Sequence, residues 1–338
     1  MRASGATLLA DVGTGRPDDG LRTGELARAA RLLAVRSRRE AGGAFVGGYR
    51  SAFRGAGIEF EESRPYVPGD DVRFLDANVM ARTGHPYVKR FREERDQTVH
   101  LVVDVSGSMA FGSSGHPSST KGSVAARVAA LVAVAALRAG DRVGLHTFDE
   151  RVREELPPAR GGAQLWQVLD RLLAAPGELG GPTGLAASFA RVRASARRRS
   201  LVFVVSDFRD EGFFEAGDAR GQRPGPSPRV DWVALARHHD LVAVLVHDPR
   251  EDRLPRAGTL RLADPERPGR RFFLRTNRAV VRDRYRAASE VRRRAVIRRL
   301  RGDGASVLLL RTDRDPLQVL FRFFTARAGE TSARRSPR

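Results

Sequence analysis

One carboxylate and two hydroxyls stand at alternate positions after an apolar run: Asp104, Ser106 and Ser108 in "LVVDVSGSMAFGS", residues 101–113. Such a cluster suits a serine nucleophile, a phosphate cradle, a metal site, or a turn whose side chains cap the next helix. Two distant segments carry the same residue types. Thr183 lies in the Gly/Pro-rich loop "PGELGGPTG" ahead of a helical pattern, and Asp207 ends the apolar run "SLVFVVSD". Hydroxyls and carboxylates, without nitrogen or sulfur, suit a hard cation such as Mg2+ or Mn2+. An ion held by two serines, a threonine and carboxylates receives little negative charge from the protein. It stays electrophilic, and an open coordination position attracts a carboxylate from a partner.

The competing chemistries fit less of the chain. "VSGSM" is not a Gly-x-Ser-x-Gly elbow, and no histidine sits in an obvious partner loop for Ser106 or Ser108. A phosphoryl-accepting aspartate of the haloacid dehalogenase type wants a second acid two residues on, where this chain has Ser106. There is no Gly-x-x-x-x-Gly-Lys-Ser/Thr loop, so nucleotide hydrolysis by this chain is not expected. Of the seven histidines, His100, His146 and His247 fall in apolar strand patterns and read as structural, while His238 and His239 are adjacent and do not share a helix face. Helix capping by Asp104 and the serines explains one segment and leaves Thr183 and Asp207 as coincidence.

The elements that must position these residues begin at about residue 98. "TVHLVVDV", "DRVGLHTF", "RVREEL", "SLVFVVSD", "LVAVLVHD" and "ASVLLLRT" read as strands. Between them stand helical patterns, among them "SVAARVAALVAVAALRAG", "GAQLWQVLDRLLAA", "LAASFARVRASARRR" and "PRVDWVALARHHD". Strands apolar throughout and separated by helices imply an α/β domain with a mostly parallel sheet covered on both faces. In such a sheet the functional crevice lies at the carboxyl ends of the strands, where Asp104 and Asp207 fall.

The expected organisation is a disordered N-terminus over 1–22, an N-terminal helix and module over 23–97, the α/β domain over 98–328 with an insertion at 249–283, and a flexible tail at 329–338. The helix runs from Thr23, as N-cap, to Gly42 and Gly43, which close it. Residues 44–97 should form short strands and loops. "GQRPGPSP", residues 221–228, reads as a flexible loop.

The chain has 338 residues and 41% hydrophobic content, enough for a sizeable core. It has no cysteine, which excludes disulfides and thiolate zinc sites. The net charge of +20 invites a nucleic-acid reading, but 58 of the 60 basic residues are arginine, the exceptions being Lys89 and Lys121. That bias fits a GC-rich genome, and no interleaved aromatic pattern offers base stacking, so a solvated basic surface is favoured over specific nucleic-acid binding. The apolar tract "VAALVAVAAL" is too short to span a bilayer, and the N-terminus does not read as a secretory signal. A cytoplasmic location is expected.

The Asp-x-Ser-x-Ser run, Thr183 and Asp207 together resemble the metal-ion-dependent adhesion site of von Willebrand factor A-like domains. The resemblance assigns Asp104, Ser106 and Ser108 to the first loop, Thr183 to the second and Asp207 to the third. A more specific resemblance covers residues 55–109, "GAGIEFEESRPYVPGDDVRFLDANVMARTGHPYVKRFREERDQTVHLVVDVSGSM", and continues through "GDRVGLHTFDERV" and "HHDLVAVLVHDPRE". These are similar to the bacterial family called domain of unknown function 58, over nearly the whole chain from about residue 25 to 325. That family usually has Trp where this chain has Ala77, which bears on packing of the preceding module. The resemblance implies a non-enzymatic adaptor with Mg2+ (or Mn2+) as cofactor. Its implied partners are a MoxR-type AAA+ ATPase and a client protein that presents an acidic residue to the ion. A metal-dependent hydrolase or phosphatase is the alternative. The many charges at 59–95, among them Glu59, Glu61, Arg64, Asp70, Asp76 and Arg92, are either a partner surface or an ion-pair lattice that orders a segment poor in apolar residues.

Overall fold

The computed structural model describes residues 42–53, 58–93, 97–113, 120–174, 181–210, 213, 228–265 and 269–333. The expectations for the N-terminus, the helix from Thr23 and the loop at 221–227 lie outside them.

Six strands form the central sheet: β3 (Thr98–Asp104), β4 (Arg142–Phe148), β5 (Val152–Ala159), β6 (Leu201–Ser206), β7 (Asp240–His247) and β10 (Ser306–Arg311). Their spatial order is β10-β7-β6-β3-β4-β5. All neighbours pair in parallel except β4 and β5, so β5 is an antiparallel edge. A residue pattern cannot show this direction, because "RVREEL" reads as a strand either way; the short connection from β4 dictates the hairpin. Strand order reverses between β3 and β6. Their carboxyl ends therefore splay apart around a crevice, the place where open α/β sheets bind ligands.

Helices cover both faces. On one lie α3 (Lys121–Ala139), α4 (Gly161–Ala174) and α8 (Pro316–Ala333); on the other lie α5 (Leu185–Ser195), α6 (Pro228–His238) and α7 (Ala279–Gly302). Among the described residues α3 is the helix long and apolar enough to cross a membrane, longer than the ten-residue tract suggests, and 78% of that window is buried inside the fold. Its alanines allow the close approach to β3 that a helix of larger side chains would refuse. Thr120 caps it, its Oγ1 accepting from the Ser123 N–H at 3.1 Å.

Several boundaries correct the sequence reading. Gly43 opens a helix, α1 (Gly43–Phe53), instead of closing one. Its three glycines argue against a helix, yet Phe45, Tyr49 and Phe53 recur every fourth residue and meet Phe324 of α8 at 5.3, 5.8 and 5.5 Å. Burial of three aromatic rings outweighs the roughly 1 kcal/mol that each interior glycine costs. The Tyr49 hydroxyl donates to Asp141 at 3.0 Å. Helix α8 runs to Ala333, so the tail expected from 329 is helical over its first five residues. Helix α7 begins at Ala279, shortening the insertion, and α5 stops at Ser195, leaving Arg197, Arg198 and Arg199 exposed beyond its end.

The preceding module is a hairpin of β1 (Ile58–Pro65) with β2 (Tyr87–Glu93), joined through α2 (Ala77–Thr83). Asp70 takes both Arg64 nitrogens at 2.7 and 2.8 Å, and Asp76 caps α2 while accepting from Ser63 at 2.7 Å. These acids order the chain. Ala77 is exposed at the start of α2, so the capped helix forms there without the indole. The side chains of Glu59, Glu61, Arg73, Arg90, Arg92 and Glu93, and residues Glu94 and Arg95, lie outside the description.

His100 and His146 meet between β3 and β4, Nδ1 to Nε2 at 3.3 Å, both about 1% exposed. Burial first, then the charges of His146 and His239, push His100 down to about 3. A histidine lowered in the folded state costs stability as pH falls through its ordinary value near 6.5. Unfolding free energy should therefore drop by about 2 kcal/mol between pH 7.5 and pH 5 from this group alone. Denaturant unfolding across that range checks it, with His100→Gln expected to flatten the dependence.

Candidate metal site

Strand β3 ends at Asp104, and the chain turns at once into a short 3-10 turn, Gly107–Ala110. Asp104 Oδ1 accepts from the Ser106 N–H at 2.8 Å, and Oδ2 accepts from the Ser206 hydroxyl at 2.5 Å. Ser106 and Ser108 converge as alternate residues of a turning strand should, with Oγ atoms 3.2 Å apart. The Thr183 hydroxyl donates to Ser106 Oγ at 2.9 Å, which joins the second loop to the first. All four side chains are buried, at 7% exposure or less.

The backbone locks this meeting in place. The Gly107 N–H donates to the Gly181 carbonyl at 2.9 Å and the Gly184 N–H to the Asp149 carbonyl at 2.8 Å. A Cβ on Gly184 would stand 2.5 Å from the Glu150 carbonyl oxygen, so that position accepts no side chain. Asp210 Oδ2 accepts from the Leu185 N–H at 2.9 Å, anchoring the start of α5 just after Thr183.

Asp207, at the end of β6, faces the same crevice from a strained turn. Phe208 follows with φ +52°, uncommon for a bulky residue. Its ring is clamped by Phe213 and Trp232 at 6.0 and 5.9 Å, and its N–H donates to Ser206 Oγ at 2.9 Å. Packing and hydrogen bonding thus hold a conformation costing about 1–3 kcal/mol. Among the described residues, no hydrogen bond joins Asp207 to the Asp104 cluster. Its Oδ2 is 2.5 Å from the Lys121 ammonium, while Oδ1 is buried and finds no hydrogen-bond partner among the described residues.

Three residues of this centre have no place in the Asp-x-Ser-x-Ser pattern. Lys121 opens α3, is fully buried, and bridges Asp207 to Glu251 Oε1 at 2.6 Å. Arg209 reaches Glu251 at 2.8 Å and Asp207 at 3.3 Å. Burial pushes the Glu251 carboxyl up, but His247, Lys121 and Arg209 outweigh it and hold the group well below the usual carboxylate range. A signal for Lys121 was present: a chain that uses arginine almost everywhere keeps a lysine here. A compact point charge fits between two buried carboxylates where a planar guanidinium does not.

The donor set is hydroxyl and carboxylate oxygen around one buried pocket of charge. Burial, and next the charge of Asp207, push Asp104 above the ordinary carboxylate range despite hydrogen bonds from Ser106 and Ser206. Lys121 and Arg209 offset the charge of Asp207 at Oδ2, but the buried Oδ1 has no donor and stands near a second buried carboxylate, which is costly unless a further cation meets it. The residues present therefore fit a hard divalent ion. Among the described residues no group of three or more His, Cys, Asp or Glu forms a metal cluster, so serine and threonine hydroxyls would supply most of the protein ligands.

The family model for the protein of unknown function DUF58 matches residues 62–295. An uncharacterised protein of Mycobacterium bovis is 32% identical over 308 residues, covering 90% of both chains, and one of Mycobacterium tuberculosis matches equally. Among solved structures, BatB from Bacteroides thetaiotaomicron superposes with a TM-score of 0.41 at 14% identity, covering 70% of this chain and 99% of that one. The SpRpn10 VWA domain gives 0.33 at 10% identity, covering 66% and 93%. The sheet order, with its antiparallel edge and its crevice between β3 and β6, is that of an open, mostly parallel α/β sheet. The chain belongs to the DUF58 family.

Proposed function

We propose that the protein is a non-enzymatic, Mg2+-dependent protein-binding adaptor. It acts in the cytoplasm with a MoxR-type AAA+ ATPase in the assembly or maturation of client proteins. Asp104, Ser106, Ser108, Thr183 and Asp207 would hold Mg2+ (or Mn2+), and the ion supplies an electrophilic position for a carboxylate of the client. The observation that carries this reading is the buried, unpartnered Oδ1 of Asp207 beside a hydroxyl cluster drawn from two other loops. Family membership supports the adaptor class in general, while the ATPase partner rests on the resemblance alone.

Calorimetric titration with Mg2+ tests the site. Wild type should bind one ion, and Asp104→Ala and Thr183→Ala should weaken binding by about tenfold to hundredfold or more. Pull-down of the purified ATPase should require Mg2+ and fail in chelator. Equal Mg2+ binding by wild type and Asp104→Ala would refute the site; ATPase capture that ignores both chelator and Asp104→Ala would refute its role.

A further inference from the structure

Beside the metal site lies a groove of about 350 Å3, with Ser108 and Lys121 at its inner end. Its outer wall is a hairpin of the insertion, β8 (Thr259–Ala263) paired antiparallel with β9 (Arg271–Arg275). The pleat turns Leu260 and Leu262 to one side of β8, half-buried, and Arg261 to the exposed other side. Leu254 and Phe111, the latter 43% exposed, complete the apolar wall. Arg209 and Arg250 supply positive charge along it.

The insertion is fastened to the candidate metal site at both ends of this wall. Pro265 closes over the first loop, its carbonyl oxygen only 3.2 Å from where a Cβ on Gly107 would stand. Glu251, at the start of the insertion, is the second carboxylate on Lys121. Asp248 takes the Ser113 N–H and hydroxyl at 3.0 and 3.1 Å and the Thr312 hydroxyl at 2.7 Å, tying the Phe111 loop to the ends of β7 and β10. The groove is thus continuous with the ion position and held by buried and part-buried polar contacts.

A carboxylate alone would leave most of this volume empty. The apolar walls would gain nothing from a second charge, and the basic rim favours an acidic ligand. We infer that the groove receives a protein segment in which an acidic residue is next to a bulky aliphatic one. The carboxylate goes to the ion and the aliphatic side chain lies between Leu260, Leu262 and Phe111. This rests on the metal-centred reading above and adds the specificity that a bare ion cannot provide.

The test is a peptide array on the full-length protein, with Asp fixed and each neighbour varied, probed in MgCl2 and in EDTA. Leu, Ile or Met beside Asp should bind about tenfold better than Ser or Lys there, the scale for burying one aliphatic side chain. Leu262→Ser should flatten that preference, and Arg250→Glu should weaken every acidic peptide. Calorimetric Mg2+ titration of both variants reports whether they remain folded around the site. An Mg2+-dependent preference for Asp with no preference at its neighbours overturns the groove and leaves the metal reading standing. Binding of aliphatic peptides that ignores both EDTA and Asp104→Ala overturns the metal reading and this arrangement with it. Capture of no peptide overturns the proposal.

Discussion

Lys121→Met is expected to cost the fold about 3–5 kcal/mol, the scale for deleting one partner of a buried ion pair. The lysine is fully buried and its ammonium touches two acids, Asp207 at 2.5 Å and Glu251 at 2.6 Å. Methionine keeps the apolar stem but leaves Asp207 to Arg209 alone and Glu251 to Arg209 and His247, and the Arg209 side chain is 31% exposed and partly screened by water. Burying lysine there is not favourable in itself, since replacing a whole buried ion cluster with apolar residues is often neutral. The cost arises because the carboxylates stay behind. Urea unfolding of Lys121→Met, Glu251→Gln and the double variant checks this. The double variant should lose less than the sum of the single losses, because neutralising Glu251 removes one stranded charge. Lys121→Arg should not restore stability, as a planar guanidinium needs more room than an ammonium. A loss below about 0.5 kcal/mol in Lys121→Met would show that the cluster contributes nothing net.

The parts of the fold legible in the sequence are those dictated by burial on both faces. Strands such as "LVVDV" and "VFVVS" have no polar face to offer water, so they belong in the middle of a parallel sheet. The same logic placed Asp104 and Asp207 at the carboxyl ends, where burial stops. What stayed illegible depends on partners far away in the chain. Helix α1 is glycine-rich and forms because Phe324, some 270 residues on, completes its aromatic packing. The direction of β5 follows from a hairpin connection that composition does not reveal. Within the site, the pairing of Ser106 with Ser108 follows from alternation, and the contact of Ser106 with Thr183 from sheet topology. The link of Lys121 to Glu251 does not, because nothing local to "KGS" or to "PREDR" shows that they meet. Nor does any local signal show that the insertion folds back over the first loop through Pro265.

Asp104→Asn is expected to stabilise the protein in chelator and to remove its stabilisation by Mg2+. Asp104 is 1% exposed, and burial followed by the charge of Asp207 pushes its carboxyl above the ordinary range. A carboxyl raised in the folded state costs stability once pH exceeds its unfolded value. At neutral pH, without a divalent ion, the aspartate is therefore a burden on the fold. Asparagine has the same shape and keeps an acceptor for the Ser106 N–H, now 2.8 Å from Oδ1. At Ser206 an amide N–H takes the place of the acceptor, and the hydroxyl reverses its role. In Mg2+ at about one hundred times its Kd the wild type gains about 2.7 kcal/mol, and a variant lacking the charged ligand gains little. In a thermal melt Asp104→Asn should therefore lie above wild type in EDTA, and Mg2+ should raise wild type while leaving the variant almost unchanged. A carboxylate that serves only to cap the turn after β3 gives a different result, because its replacement weakens the turn in both buffers alike. If Asp104→Asn melts below wild type with and without Mg2+, Asp104 is a cap and no ion is held there.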